Sequence, residues 1–177
     1  MKKYSIFLIC IVFACFTSAQ RYSNGNYVKI YKYDVYRTDW AKVKSKKGLY
    51  GFVDRSEYEV VSPMYKHIQK FGVYKKDWAK VKSSTGLYGF IDYEGNRVVV
   101  PRYKKIDKFG VYKEDWARVK SVAGLYGFID KNGFEVVAPL HKKIHKFDKN
   151  SRIYVALESF SGEITYIDDK GKLLKEI

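Results

Sequence analysis

The chain repeats itself every 38 residues, and this internal repeat constrains the fold more than any other feature. The stretch 77–92 (DWAKVKSSTGLYGFID) returns at 39–54 as DWAKVKSKKGLYGFVD and at 115–130 as DWARVKSVAGLYGFID. Carrying the period outward gives four units, 26–63, 64–101, 102–139 and 140–177, named units 1 to 4 below. Only a polar lead-in, residues 20–25, separates unit 1 from a chemically different N-terminal segment.

Each unit has the pattern of short strands joined by turns. Residues 78–82 alternate with period two, as in a half-buried strand. Residues 87–91 are apolar on both faces and are therefore predicted to be covered on both. Asp92 opens a turn, and a third strand over 98–100 is predicted to end at Pro101, because proline cannot donate to a β-ladder.

These patterns predict an all-β fold. No stretch combines a 3.6-residue apolar period with helix caps. The expected architecture is an elongated, twisted tandem array of four antiparallel β-repeats of 38 residues, and a closed four-bladed propeller is the alternative. Unit 4 departs from the others, with Tyr154 in place of tryptophan and Glu158 in place of lysine, as expected of a capping repeat.

Residues 1–19 have the layout of a secretory signal peptide. Lys2 and Lys3 precede an apolar run over 6–16, and Ala19 offers a cleavage point. A second interpretation takes Cys15 as the lipidated N-terminus of a lipoprotein. Export is therefore expected, to the periplasm, the outer surface or the medium of a bacterium, with membrane attachment only if Cys15 is lipidated.

The charge balance favours anionic partners, and a lysine-biased composition that gives a soluble surface is the competing interpretation. The chain carries a formal charge of +15, and the leader accounts for two of these charges with no acidic residue, which leaves +13. Both cysteines lie within the leader, so the remaining chain has no thiol nucleophile, no disulfide and no cysteine metal site.

The strongest functional signal is a ribbon of aromatic and basic side chains. Alternation places one tryptophan and two cations of each unit on the same strand face, and stacked units would align them. The predicted ligand-binding residues are Trp40, Lys42, Lys44, Trp78, Lys80, Lys82, Trp116, Arg118 and Lys120. A solvated face, with lysine stems covering the tryptophans, is the competing interpretation.

The sequence gives little support for a metal site or for catalysis. His141 and His145 are four residues apart, but the segment aligns with strands in the other units, so no metal site is predicted. Asp54, Asp92, Asp130 and Asp168 recur as openers of turns rather than as catalytic or calcium-binding groups. No catalytic motif is recognisable, and neither enzymatic activity nor a cofactor is expected.

The repeated positions resemble the WG-repeat (KWG-repeat) proteins of bacteria. The resemblance covers 26–177 and rests on 124–130 (GLYGFID), on Asn132 and Gly133, and on Pro139. The name-giving Trp-Gly pair is replaced here by Tyr50-Gly51, Tyr88-Gly89 and Tyr126-Gly127. The resemblance implies a tandem β-repeat that serves as a binding or scaffold module, without a shared catalytic residue set.

The sequence therefore predicts an exported, non-enzymatic interaction module. Its expected partner is an anionic surface polysaccharide or another protein, and export makes nucleic acid a less favoured ligand. A structural envelope protein with no ligand on the basic face is the first alternative. A hydrolase built on a propeller is a weaker one.

Overall fold

A computed structural model describes residues 27–146 and 155–174, and these residues form strands and turns. The expected leader, residues 1–19 with Cys15, and the lead-in 20–25 lie outside the described residues. The strands are β1 (Tyr27–Tyr33), β2 (Ala41–Ser45), β3 (Tyr50–Val53), β4 (Glu59–Ile68), β5 (Ala79–Ser83), β6 (Tyr88–Ile91), β7 (Arg97–Tyr103), β8 (Lys105–Ile106), β9 (Trp116–Lys120), β10 (Tyr126–Asp130), β11 (Glu135–His141), β12 (Lys143–Lys146), β13 (Val155–Glu158), β14 (Ile164–Ile167) and β15 (Leu173–Leu174).

Every described strand pair is antiparallel, and neighbours in sequence are neighbours in the sheet. Strands β1 to β7 form one continuous sheet in chain order. Strands β8 to β11 and β12 to β15 form two further sheets of four strands each. The prediction of an all-β array of antiparallel repeats is confirmed. Units 1 and 2 share strand β4, whereas propeller blades are separate sheets, so the array describes these strands better than the propeller does.

The predicted strand end at proline is wrong. Strand β7 runs through Pro101, and β4 and β11 run through Pro63 and Pro139. In each case the proline lies in a bulge, where a residue without an N–H is tolerated because the ladder is already interrupted.

A glycine faces each of these bulges and makes it sterically feasible. Between the pairs Tyr88–Tyr103 and Phe90–Val99, Gly89 alone lies opposite three residues of β7. A Cβ atom on Gly89 would lie 2.2 Å from the carbonyl oxygen of Val99 and 2.7 Å from the nitrogen of Pro101. Gly51 and Gly127 meet the same obstruction in units 1 and 3. The glycine of the name-giving pair is therefore required by backbone contact.

The hydrophobic cores form between consecutive units. One cluster joins Trp40 and Phe52 of unit 1 to Ile68, Val81 and Ile91 of unit 2. The same arrangement recurs between units 2 and 3 and between units 3 and 4. Within β6, Phe90 belongs to the second cluster and Ile91 to the first. This confirms that the strand is covered on both faces.

The recurring aspartates cap the turns that follow each central strand. In all four units one carboxylate oxygen accepts the backbone N–H groups two and four residues ahead, at 2.8–3.0 Å. Hydrogen bonds from the backbone of Lys172 and Lys170 lower the pKa of Asp168 accordingly. The predicted turn role of these aspartates is confirmed.

Candidate functional site

The three tryptophans of the predicted ribbon are buried. Trp40 is 5% exposed, and Trp78 and Trp116 are each 3% exposed. Each indole packs against the phenylalanine of its own unit, as in the pair Trp78–Phe90, whose ring centroids lie 5.2 Å apart. An indole in this position has no surface to offer a ligand.

The expected exposed row of indoles is therefore wrong, although the predicted face is right. Lys80 lies opposite Phe90 across the β5–β6 pair, and Trp78 contacts the same phenylalanine, so these side chains share a face. That face packs against the next unit. Trp78 lies in the centre of the contact, whereas Lys80 and Lys82 lie half-buried at its rim.

A different set of basic residues covers the tryptophans. The cationic groups of Arg37, Lys75 and Lys113 lie 4.6, 4.5 and 4.8 Å from the indole centroids three residues ahead. Each also donates a hydrogen bond to a backbone carbonyl of the following unit, as Lys75 Nζ does to Lys131 O at 3.1 Å. We call these three residues the clasp. Their own 38-residue spacing was the only sequence signal for this role.

The cations of the predicted ribbon lie against tyrosines instead of tryptophans. Lys80 Nζ donates to the Tyr74 hydroxyl at 2.9 Å and lies 4.6 Å from the Tyr88 ring centroid. Lys42 is placed in the same way between Tyr36 and Tyr50, and Arg118 between Tyr112 and Tyr126.

A second cation of each unit lies by the same ring. Lys44, Lys82 and Lys120 lie 5.8, 5.3 and 4.9 Å from the centroids of Tyr50, Tyr88 and Tyr126. Cation–π contacts of this kind each contribute about 0.5–1 kcal/mol at exposed positions. The nine residues of the cation–tyrosine rim are Lys42, Lys44, Tyr50, Lys80, Lys82, Tyr88, Arg118, Lys120 and Tyr126.

The rim thus retains all six predicted cations and replaces the three tryptophans with tyrosines. The tyrosines are the residues that stand for tryptophan in the name-giving pair. Their place beside the cations follows from the pairing of β5 with β6, in which Lys82 lies opposite Tyr88. That register could have been read from the sequence, because the turn at 83–86 fixes it.

The residue that faces the rim from the preceding strand, or from the position just after that strand, differs between units. It is Tyr31 in unit 1, Gln69 in unit 2 and Asp107 in unit 3. Asp107 accepts hydrogen bonds from Arg118 at 2.8 Å and forms a salt bridge with Lys105 at 3.0 Å. Burial alone would raise the pKa of Asp107, but these hydrogen bonds and charges outweigh it and lower the pKa.

Unit 4 has no rim. Ala156 and Glu158 take the places of Arg118 and Lys120, and His145 contacts Glu158 at 2.9 Å. This hydrogen bond is the main cause of a lowered pKa for Glu158. His141 lies on β11 and His145 on β12. Within 27–146 and 155–174, no three His, Cys, Asp or Glu side chains are grouped to hold a metal ion.

Comparison with known proteins gives a single identification. The family model described as the WG containing repeat matches residues 88–121. The chain therefore contains a WG repeat. The matched segment begins with Tyr88-Gly89 and includes the rim residues Arg118 and Lys120. No curated protein and no solved structure matches the chain.

The described part of this WG-repeat protein contains no helix long and apolar enough to cross a membrane.

Proposed function

We propose that this WG-repeat protein is an exported, non-enzymatic binding module whose ligand is an acidic polysaccharide. The observation that carries the proposal is that the rim lysines lack carboxylate partners among the described residues. Lys42, Lys44, Lys80, Lys82 and Lys120 are half-buried, and none of them forms a salt bridge with a carboxylate in the described part of the chain.

Unpaired cations at the edge of a packed interface favour an external counter-charge. The side chains are already held by tyrosine rings and hydroxyls, so binding an anion costs little additional side-chain entropy. The two cations beside each rim tyrosine recur in units 1 to 3 at the same positions of the repeat. This recurrence suits a ligand that itself repeats an anionic group. The overall positive charge would also steer such a polymer towards the chain.

An acidic segment of another protein is the second candidate, because it offers the same charges. Nucleic acid is less favoured, since the N-terminal segment predicts export. A structural envelope protein with no ligand on the rim is the remaining alternative. Catalysis is not proposed, because the sequence carries no recognisable catalytic motif.

The test uses the purified full chain and a panel of polymers at low and at physiological salt. The panel contains a polyuronate, a sulfated polysaccharide, a neutral glucan, poly-glutamate and DNA. We expect binding to the acidic polysaccharides that survives physiological salt. Binding to every anion alike, lost in salt, would show only the non-specific effect of the net charge.

A matched pair of triple variants tests whether the rim is the site. The first is Lys44→Gln/Lys82→Gln/Lys120→Gln. The control, Lys76→Gln/Lys170→Gln/Lys172→Gln, removes the same charge from exposed positions outside the rim. Three ionic contacts of about 0.5 kcal/mol each predict roughly tenfold weaker binding for the rim variant and little change for the control. Equal losses in both would contradict the proposal.

Export is tested separately by the intact mass of the protein recovered from expressing cells. A chain that begins at Gln20 indicates a secreted or periplasmic protein. A lipid-bearing Cys15 indicates attachment to a membrane, and an uncleaved N-terminus contradicts export.

A further inference from the structure

One cavity of the described structure lies on the rim of unit 2. Its volume is about 470 Å³, in the range of small-molecule sites. Lys66, Lys80 and Lys82 line it together with Gln69 and Tyr88. No carboxylate is among the lining residues, so the cavity gathers positive charge that none of these residues neutralises.

The next unit shows what an anion does in this place. The backbone N–H of Gln69 donates to Lys80 O at 2.9 Å, and that of Asp107 donates to Arg118 O at 2.9 Å. The two side chains therefore start from the same backbone position. In unit 3 the Asp107 carboxylate binds the Arg118 guanidinium at 2.8 Å and the Lys105 ammonium at 3.0 Å. This carboxylate is a built-in anion within the corresponding site.

Unit 2 lacks this anion. Lys80 stands where Arg118 stands in unit 3, and His67, which also lines the cavity, stands where Lys105 stands. Gln69 is neutral, and its Oε1 atom is buried without a hydrogen-bond partner. Among the described residues the Lys80 ammonium is bound only by neutral oxygens, the Tyr74 hydroxyl and the Ile106 carbonyl, both at 2.9 Å. Lys82 contacts the Tyr88 ring and forms no salt bridge with any residue that the structure describes. A buried acceptor without a donor is unfavourable, and a turn of the half-buried Gln69 amide towards the cavity would let a ligand supply that donor.

We propose that the unit 2 cavity binds a uronic acid residue of the polysaccharide. The sugar carboxylate would take the place that Asp107 occupies in unit 3, beside Lys80 and His67, with Lys66 and Lys82 also lining the cavity. A ring hydroxyl would donate to Gln69 Oε1. A uronic acid carries the carboxylate and hydroxyl donors on one ring, whereas a glutamate or aspartate side chain carries no donor beside its carboxylate.

The inference rests on the proposed function and specifies its ligand. It also explains why the cavity belongs to unit 2. In unit 3 the same place is already filled by the protein's own carboxylate. In unit 1 it is filled by Tyr31, whose ring lies 5.1 Å from Lys42 Nζ.

Two reciprocal exchanges on the full chain test the assignment. Gln69→Asp builds the unit 3 carboxylate into unit 2, and we expect it to weaken binding of a short oligo-uronate about a hundredfold, because like charges then meet. Asp107→Gln opens the corresponding place in unit 3, and we expect it to raise the stoichiometry from one bound oligo-uronate to two. Calorimetry measures both quantities, and thermal unfolding checks that each variant is folded.

The probes are the oligo-uronate, the matching neutral oligosaccharide, tetra-glutamate and inorganic sulfate. Binding of the oligo-uronate alone supports the inference. Equal or tighter binding of tetra-glutamate would overturn it in favour of an acidic protein segment. Equal binding of sulfate would overturn it in favour of a general anion site.

The outcomes also separate the inference from the proposed function. If Gln69→Asp binds the oligo-uronate as wild type does, while the rim triple variant still loses the polymer, the cavity assignment is wrong and the proposed function stands. If wild type binds no acidic polysaccharide, the proposed function is wrong and the inference falls with it.

Discussion

The centre and the rim of the contact between units lie on the same face of one strand, yet they differ in chemistry. Trp78, at the centre, is 3% exposed and is surrounded by apolar rings. Lys82, four residues along, is half-buried beside Tyr88 and has no carboxylate partner in the described ranges. The following unit covers one end of the face more fully than the other. Both residues recur with the 38-residue period, so recurrence alone does not tell whether a residue serves packing or recognition.

The largest expected effect comes from the centre. Trp78→Ala should lower the free energy of unfolding by about 3–5 kcal/mol, because it leaves a cavity in a core shared by two units. Urea unfolding followed by circular dichroism measures this value. Lys82→Ala, on the same face at the rim, should cost less than about 1 kcal/mol. Similar losses for the two variants would contradict the distinction between centre and rim.

Gly89 lies on β6 between Tyr88 of the rim and Phe90 of the core. Substitution of this glycine should have the next largest effect. In Gly89→Ala the new Cβ would lie 2.2 Å from the Val99 carbonyl oxygen, so backbone must move. We expect a loss of about 3 kcal/mol in the free energy of unfolding. Gly110→Ala is the matched control, since nothing lies within 4 Å of its Cβ and only its φ of 85° opposes alanine. A control loss of about 1 kcal/mol is expected. Equal losses would show that close approach is not the reason for Gly89.

The clasp connects the centre to the next unit, and a smaller effect is expected there. Lys75→Met keeps the apolar stem but removes the cation over Trp78 and the hydrogen bond to Lys131 O. The loss should be about 1–2 kcal/mol, measured as a shift of the urea midpoint with unchanged slope. Lys76→Met, at the exposed neighbouring position, should stay within about 0.5 kcal/mol of wild type. If both variants had the same free energy of unfolding as wild type, the clasp would make no contribution to stability.

The smallest effect is expected for the ion pair on the rim of unit 3. The pKa of Asp107 is lowered in the folded chain, so its contribution to stability is present above the ordinary carboxyl pKa of about 3.9 and is lost as the pH falls through the lower folded value. At pH 6, Asp107→Asn should be less stable than wild type by about 1 kcal/mol or less.

This difference should shrink below about pH 4 and vanish once the wild-type carboxyl is protonated. Thermal unfolding between pH 2.5 and pH 6 measures it. Glu94→Gln is the control, because Glu94 is exposed and forms no salt bridge with a described residue. A difference between wild type and Asp107→Asn that grew on acidification would refute the assignment.

Much of the fold follows from the sequence, because its signals are local. The 38-residue period, the aspartate-capped turns and the doubly covered strand at 87–91 depend on residues close together in the chain. The continuation of β7 through Pro101 was missed, because the bulge opposite Gly89 depends on pairing with β6. Proline is compatible with a strand at that point, but the proline alone does not reveal the bulge.

The site was predictable only in part, for a related reason. Alternation correctly placed Trp78 on the same face as Lys80, but burial of that face depends on unit 3, which alternation within unit 2 does not describe. The clasp joins residues 56 positions apart, as in Lys75 and Lys131. No local pattern encodes such a contact. Gln69 and Asp107 could be aligned from the repeat, and what distinguishes them became clear only from the side chains around each.

Each core shared by two units has a mechanical consequence. A unit at the end of the array contributes to one such core, whereas a unit in the middle contributes to two. Under a pulling force on both ends, detachment from an end breaks fewer contacts than rupture in the middle. We therefore expect the chain to lengthen in discrete steps from its ends inward. A step of 38 residues releases about 130 Å of contour length at ~3.5 Å per extended residue.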